Sequence, residues 1–184
     1  MSDNLDLKVL NEKLVTTELD ERIRQMLCQC FPRETGTFSK TRAWHGSGPN
    51  WSVYLENEQG QIVAHAGVVD RMITVDQRPL HVGGIQNVCV LPSFRGRGLC
   101  QQVMKHIAEV AKGENYDAGL LFCVPELVQL YSREYWCRLP QAEVLRIDDS
   151  GNERSLPQDN IPMYFPIKIE AWPPGLIHLR GNDW

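Results

Sequence analysis

The chain has 184 residues, 42% of them hydrophobic, with a formal charge of −4, which suits one globular domain with a sizeable core. An acidic balance without a Lys/Arg run or an aromatic-basic stripe argues against a nucleic-acid partner and weakly favours a cationic substrate. No apolar run is long enough to span a bilayer and the polar start Met1-Ser2-Asp3-Asn4 is unlike a signal peptide, so a cytoplasmic location away from membranes is expected.

Six cysteines (Cys28, Cys30, Cys89, Cys100, Cys123, Cys137) contain no C-x-x-C pair and fall largely in apolar patterns. Buried free thiols are expected rather than disulfides or a zinc site, and no metal is expected.

In chain order, residues 5–10 read as a first strand. Residues 17–30 read as a helix with Thr17 as N-cap, acidic residues in its first turn, and Ile23, Met26, Leu27 and Cys30 on one face. Phe31-Pro32 stops it. Residues 33–50 read as a Gly/Ser/Thr-rich loop whose Phe38, Trp44 and His45 either wall a substrate site or pack onto the core. A hairpin follows, from residues 51–55 through Glu58-Gln59-Gly60 to residues 62–75, and then a strand over residues 80–91. Gly83-Gly84 within that strand predicts a bulge or a close approach. After a central helix, residues 118–124 read as a buried strand, residues 125–135 as a short helix with Pro at its first turn, and residues 142–147 and 163–169 as two more strands. The expected fold class is α/β (α+β): a mixed, mostly antiparallel sheet flanked by helices, in a single domain over residues 1–184.

The stretch VCVLPSFRGRGLC, residues 88–100, joins an apolar strand to an amphipathic helix through a Gly-rich turn. The first amides of a helix lack intrahelical acceptors and sit at its positive end, so such a turn is an anion site. Gly96 and Gly98 allow φ > 0 and a close approach to phosphate, while Arg95 and Arg97 add positive charge. Leu99, Val103, Ile107, Val110 and Ala111 then mark the buried stripe of a helix that ends near Lys112-Gly113. Neither the Lys-Ser/Thr pair of a Walker loop nor the third glycine of a Rossmann turn is present.

Arg95-Gly96-Arg97-Gly98-Leu99-Cys100 resembles Q/R-x-x-G-x-G/A, the pyrophosphate loop of the GCN5-related N-acetyltransferases (GNAT), with Cys in place of the final small residue. The order of elements is similar to that fold across nearly the whole chain. Two branches fit. Aminoglycoside 2'-N-acetyltransferases resemble it in IVAHAGVVDR (62–71), in the spacing from VCVLPSFRGRGL (88–99) to LYSREYW (130–136), and in a tail ending on Trp. NodA-type nodulation acyltransferases resemble it in R-x-W-x-G-x-x-P (42–49), in Ala64-His65 and in WPPGLI (172–177). Both act on amino sugars.

The resemblance implies acetyl-CoA, or another acyl thioester, as donor and a small-molecule amine as acceptor, with a homodimer left open. It places the donor where residues 88–91 splay from residues 120–123, with the backbone of Val88, Cys89 and Val90 against the pantetheine arm. The amides of Arg95, Gly96, Arg97, Gly98, Leu99 and Cys100 would meet the pyrophosphate. Tyr131 matches the tyrosine that protonates the leaving thiolate, a task suited to a phenol of pKa about 10.

Where the 2'-acetyltransferases carry a Glu, this chain has Gln86, and an amide cannot take a proton at pH 7. His65 titrates in the useful range but also suits a core position. His45, His81 and His178 rank below it, and His106 lies on the polar flank of the central helix. Asp183 and Trp184, with its carboxylate, resemble the tail that holds cationic amino sugars, and Trp44 is expected beside them. The expected function is therefore N-acetylation of a primary amine on an amino sugar or aminoglycoside. The alternatives are transfer of a longer acyl chain, or a CoA-binding regulatory module with little turnover, which Gln86 favours.

Overall fold

The computed structural model describes residues 4–139 and 142–184. Residues 1–3, which carry most of the reading of the N-terminus, lie outside the described residues.

Strand β1 (Leu5–Asn11) leads into helix α1 (Thr17–Cys30). The cap is Thr16 rather than Thr17: its side chain accepts the Leu19 amide at 3.2 Å, because Thr16 keeps extended backbone while Thr17 is already helical. The segment read as a loop starts with a 3-10 turn, Pro32–Glu34, and a single helical turn, α2 (Thr35–Phe38), which buries Phe38. Then come β2 (Trp51–Asn57), β3 (Ile62–Val75) and β4 (Arg78–Val90), an antiparallel meander. Helix α3 (Leu99–Gly113) crosses over to β5 (Ala118–Cys123), which pairs in parallel with β4.

The 3-10 turn Pro125–Leu127 and α4 (Val128–Ser132) form the expected short helix, which stops at Ser132 rather than running to residue 135, where Tyr135 is left-handed at φ 65°. Beyond them the chain adds β6 (Cys137–Arg138), β7 (Val144–Ile147), β8 (Glu153–Ser155), β9 (Ile161–Pro166) and β10 (Ile177–His178). One sheet joins them. Its main path runs β6-β9-β5-β4-β3-β10-β7-β8, with β2 also on β3 and β1 on the far edge of β2.

Alternation along β3 sends Val68 to one face of the sheet and Val69, Ile73 and Val75 to the other. The first face is covered by Ile23, Met26 and Leu27 of α1 and by Leu99, Val103, Met104, Ile107 and Ala111 of α3. The second is closed by the C-terminal segment through Ile177, Leu179 and Trp184.

Two irregularities of β4 make room for a site. Its parallel pairing with β5 stops at Ile85↔Leu121, so the two strands separate beyond it. On its other side the register with β3 passes from Gly67↔Gln86 to His65↔Cys89, which inserts one extra residue; Asn87, at φ 54°, takes the left-handed conformation there. Gly83 and Gly84 are not the bulge. They are close approaches: a Cβ on Gly83 would lie 2.7 Å from the Tyr116 ring, and one on Gly84 would overlap the Trp184 indole.

Candidate active site

Leu91 leaves β4 through the 3-10 turn Pro92–Phe94, and Gly96 (φ 76°) and Gly98 (φ 75°) then turn the chain into α3. Gly98 is the N-cap and has no side chain to satisfy the helix amides, so these face outward as donors. A cavity of about 520 Å³ opens against this turn. Val88, Cys89, Val90, Arg95, Gly96, Gly98, Leu99 and Cys100 all border it. Arg97 does not: its guanidinium covers the Phe94 ring at 4.8 Å and donates to the Ser93 carbonyl.

A second cavity, of about 370 Å³, lies where β4 and β5 separate. The two share Phe31, Val88, Leu127 and Tyr131 in their walls, so Tyr131 on α4 stands at their junction. Burial raises its phenol above the ordinary value, and the neighbouring Cys100, Cys123 and Cys89 act in the same direction. The hydroxyl is therefore a protonated donor at neutral pH.

Trp44, His45, Gln86, Asp183 and Trp184 line the second cavity. Their arrangement starts from a tight turn: His45 (φ 44°) and Gly46 (φ 79°) are both left-handed, and the Ser47 amide donates to the Trp44 carbonyl at 2.8 Å. Gln86 grips both ends of that turn. Its Oε1 accepts the Trp44 amide at 3.2 Å, and its Nε2 donates to the Ser47 carbonyl at 2.8 Å. Gln86, expected as a catalytic position, thus has both ends of its amide occupied by backbone. A glutamate could not make the second bond.

His65 lies outside the cavity. It is completely buried, with Nε2 3.1 Å from Ser52 Oγ and Nδ1 donating to the Asn87 carbonyl at 3.2 Å. Burial lowers its pKa to about 4, which keeps it neutral. Its neighbours are structural: Arg42 bonds Ser52, Glu12 and Asp20, and Asn87 Nδ2 donates to the Arg42 carbonyl at 2.7 Å. His65 is therefore a brace for the β4 bulge.

The tail does not fray. Asp183 accepts from His45 Nδ1 at 2.8 Å and from Arg146 Nη1 at 2.9 Å. Burial raises its pKa, but the His45 bond and the two cationic neighbours outweigh that and hold it below the ordinary value. Trp184 is 5% exposed; its Nε1 donates to the Leu120 carbonyl at 3.2 Å, and its ring packs on Gly84, on Phe122 at 5.5 Å and under the Arg71 guanidinium at 5.3 Å. The expected acidic wall is thus a braced one, its aspartate already paired.

Residues 12–136 match the family described as the Acetyltransferase (GNAT) domain. The chain belongs to the GNAT acetyltransferase family. It is 27% identical over 161 residues to an aminoglycoside 2'-N-acetyltransferase of Mycolicibacterium fortuitum, covering 85% of this chain and 78% of the relative. In fold it is similar to the GNAT family N-acetyltransferase YhbS of Escherichia coli, solved in complex with CoA, with a TM-score of 0.66 and 15% identity over 98% of this chain and 92% of the other. It is also similar to a GNAT family acetyltransferase of Brucella melitensis, solved in complex with acetyl-CoA, with a TM-score of 0.53 and 16% identity over 71% and 82% of the two chains.

Sequence reasoning about this GNAT acetyltransferase ranked His45 low and did not bring forward Asn87 or Arg146. The one local signal was the His45-Gly46 pair, which favours a left-handed turn. Nothing local joins His45 to an aspartate 138 positions away.

Proposed function

We propose that the protein is an acetyl-CoA-dependent N-acetyltransferase acting on the primary amine of a small ring-bearing molecule, an amino sugar or aminoglycoside-like compound. The observation that carries this reading is the meeting of two cavities at Tyr131, one against the glycine turn and one between aromatic walls.

In this reading the α3 amides and Arg95 hold the pyrophosphate, with Gly96 and Gly98 leaving space beside the backbone. The pantetheine arm runs along Val88, Cys89 and Val90, where β4 has no partner on the β5 side. The Tyr131 phenol donates its proton to the departing thiolate. Trp44 offers a ring face to the apolar side of a sugar, while Trp184, 5% exposed, contributes to the cavity wall from the core behind it. Asp183 is the one acidic side chain that lines the cavity among the described residues and is already paired with Arg146, so within this class an amino sugar with one ammonium suits the site better than a polycationic aminoglycoside.

Titration calorimetry with acetyl-CoA, followed by thiol release over hexosamines, aminoglycosides, polyamines and peptide N-termini, tests the reading. Micromolar binding with turnover of an amino sugar is expected. Binding without turnover of any amine would favour the regulatory alternative, and absence of binding would overturn the reading altogether.

A further inference from the structure

We propose that His45, oriented by Asp183, is the base that takes the proton from the acceptor's ammonium, and that Gln86 positions it; this rests on the acetyltransferase reading of the cavity. Three observations carry it. The carboxylate of Asp183 can only accept, so the 2.8 Å contact fixes the proton on Nδ1 and leaves a lone pair on Nε2. Among the described residues no protein group bonds Nε2, and the side chain is 43% exposed on the wall of the cavity that also holds Tyr131. The imidazole rides on a turn held at three places: by Gln86 at both ends, by Arg71, which reaches Ser47 Oγ and the Asn182 carbonyl, and by Ser47 Oγ on Asn182. The other candidates do worse, because His65 is sealed and the Gln86 amide does not titrate.

The proton balance closes. An ammonium has three N–H protons and no lone pair, so Nε2 must remove one before nitrogen can attack the thioester carbonyl. As the C–N bond forms and the C–S bond breaks, Tyr131 gives its proton to sulfur and is restored by a second proton leaving nitrogen. The third stays on the amide, and His45 returns its proton to water.

The charged groups facing His45 are Asp183 and Asn182-bound Asp149 on its far side, Arg146 from β7, and Arg71 from β3; α4 presents Tyr131. The Asp183 bond raises the imidazole pKa above 6.5, against burial and Arg146, which suits a base working near neutrality.

The test starts from the pH profile of kcat/KM with the best acceptor of the amine panel. His45→Asn tolerates the left-handed turn and can still donate to Asp183, but it has no basic nitrogen. Expected is a loss of roughly 10²-fold in kcat with unchanged acetyl-CoA affinity, and disappearance of the ascending limb set by His45. Added imidazole should restore His45→Gly partially, and Asp183→Asn should move the limb to lower pH. If His45→Asn keeps wild-type kcat and limb, His45 merely anchors the tail and the proposal is overturned. A wild-type protein that releases no thiol with any amine would instead overturn the reading on which the proposal stands.

Discussion

The sealed histidine makes a prediction about folding that is independent of any substrate. His65 titrates near 6.5 in the unfolded chain and at about 4 in the native one, since burial opposes its charge. A group whose native pKa is depressed in this direction binds more protons when unfolded, so stability falls as pH drops below 6.5 and stops falling near pH 4. At ~1.4 kcal/mol per pH unit the whole interval amounts to about 3 kcal/mol, of which about 2 kcal/mol should be lost between about pH 7 and about pH 5.

Other groups act in other windows. His45, raised by Asp183, contributes stability that is complete below 6.5 and fades only as pH rises. Burial raises Asp20 and Asp183, yet their cationic partners outweigh it, and the Lys8 bond lowers Glu56; these carboxylates lose their contribution only as pH falls below the usual carboxylate range. Urea unfolding at the two pH values, for wild type and His65→Gln, isolates the effect. The variant is less stable throughout but should have a flatter dependence. An identical pH slope in both proteins would mean that His65 accepts a proton in the native state, and the account of the brace would fail.

Gly98→Val should abolish acetyl-CoA binding in calorimetry while circular dichroism stays native, because φ 75° is denied to Val and its side chain would stand where the anion approaches. Tyr131→Phe should slow single-turnover acetyl transfer by ~10²-fold or more and leave acetyl-CoA affinity nearly unchanged. Gln86→Glu should lower kcat/KM about tenfold or more, since it sets a carboxylate against the Ser47 carbonyl and frees the turn that carries His45. Trp184→Ala should cost about 3–5 kcal/mol in denaturant unfolding, because the indole fills the second core, where a frayed tail would leave the midpoint unmoved.

Much of the fold was legible because its central elements are long and periodic. β3 runs over Ile62–Val75 and α3 over Leu99–Gly113, as the alternation and the stripe predict. Strands of two or three residues, such as β6, β8 and β10, have no period to read and exist because a neighbouring edge completes their pairing. Gly83-Gly84 left a bulge and a close approach open, and the close approach is the outcome; backbone freedom alone does not locate the bulge. The structure puts it at Asn87, where a side-chain bond to Arg42 and a carbonyl bond from His65 stabilise the left-handed residue, while the glycines clear space for Tyr116 and Trp184. The anion turn could be read because its chemistry is local. The His45–Asp183–Arg146 constellation could not, since it is assembled by the tail folding back across the second face of the sheet.

That folding back changes what the tail can do for an acceptor. A free aspartate beside a ring would be a cation wall, and an ammonium leaving water without such a partner costs several kcal/mol. Here Asp183 is buried and already bonded to His45 at 2.8 Å and to Arg146 at 2.9 Å, so a substrate ammonium gains little from it. What remains for an ammonium is the face of Trp44 and the imidazole proposed to remove its proton. Once neutral, the amine no longer needs a counter-ion, and the pairing of Asp183 becomes an advantage: the carboxylate that would otherwise hold the ammonium charged is turned to holding the base. The same aspartate cannot serve both ends, which ties acceptor choice to proton removal through one side chain.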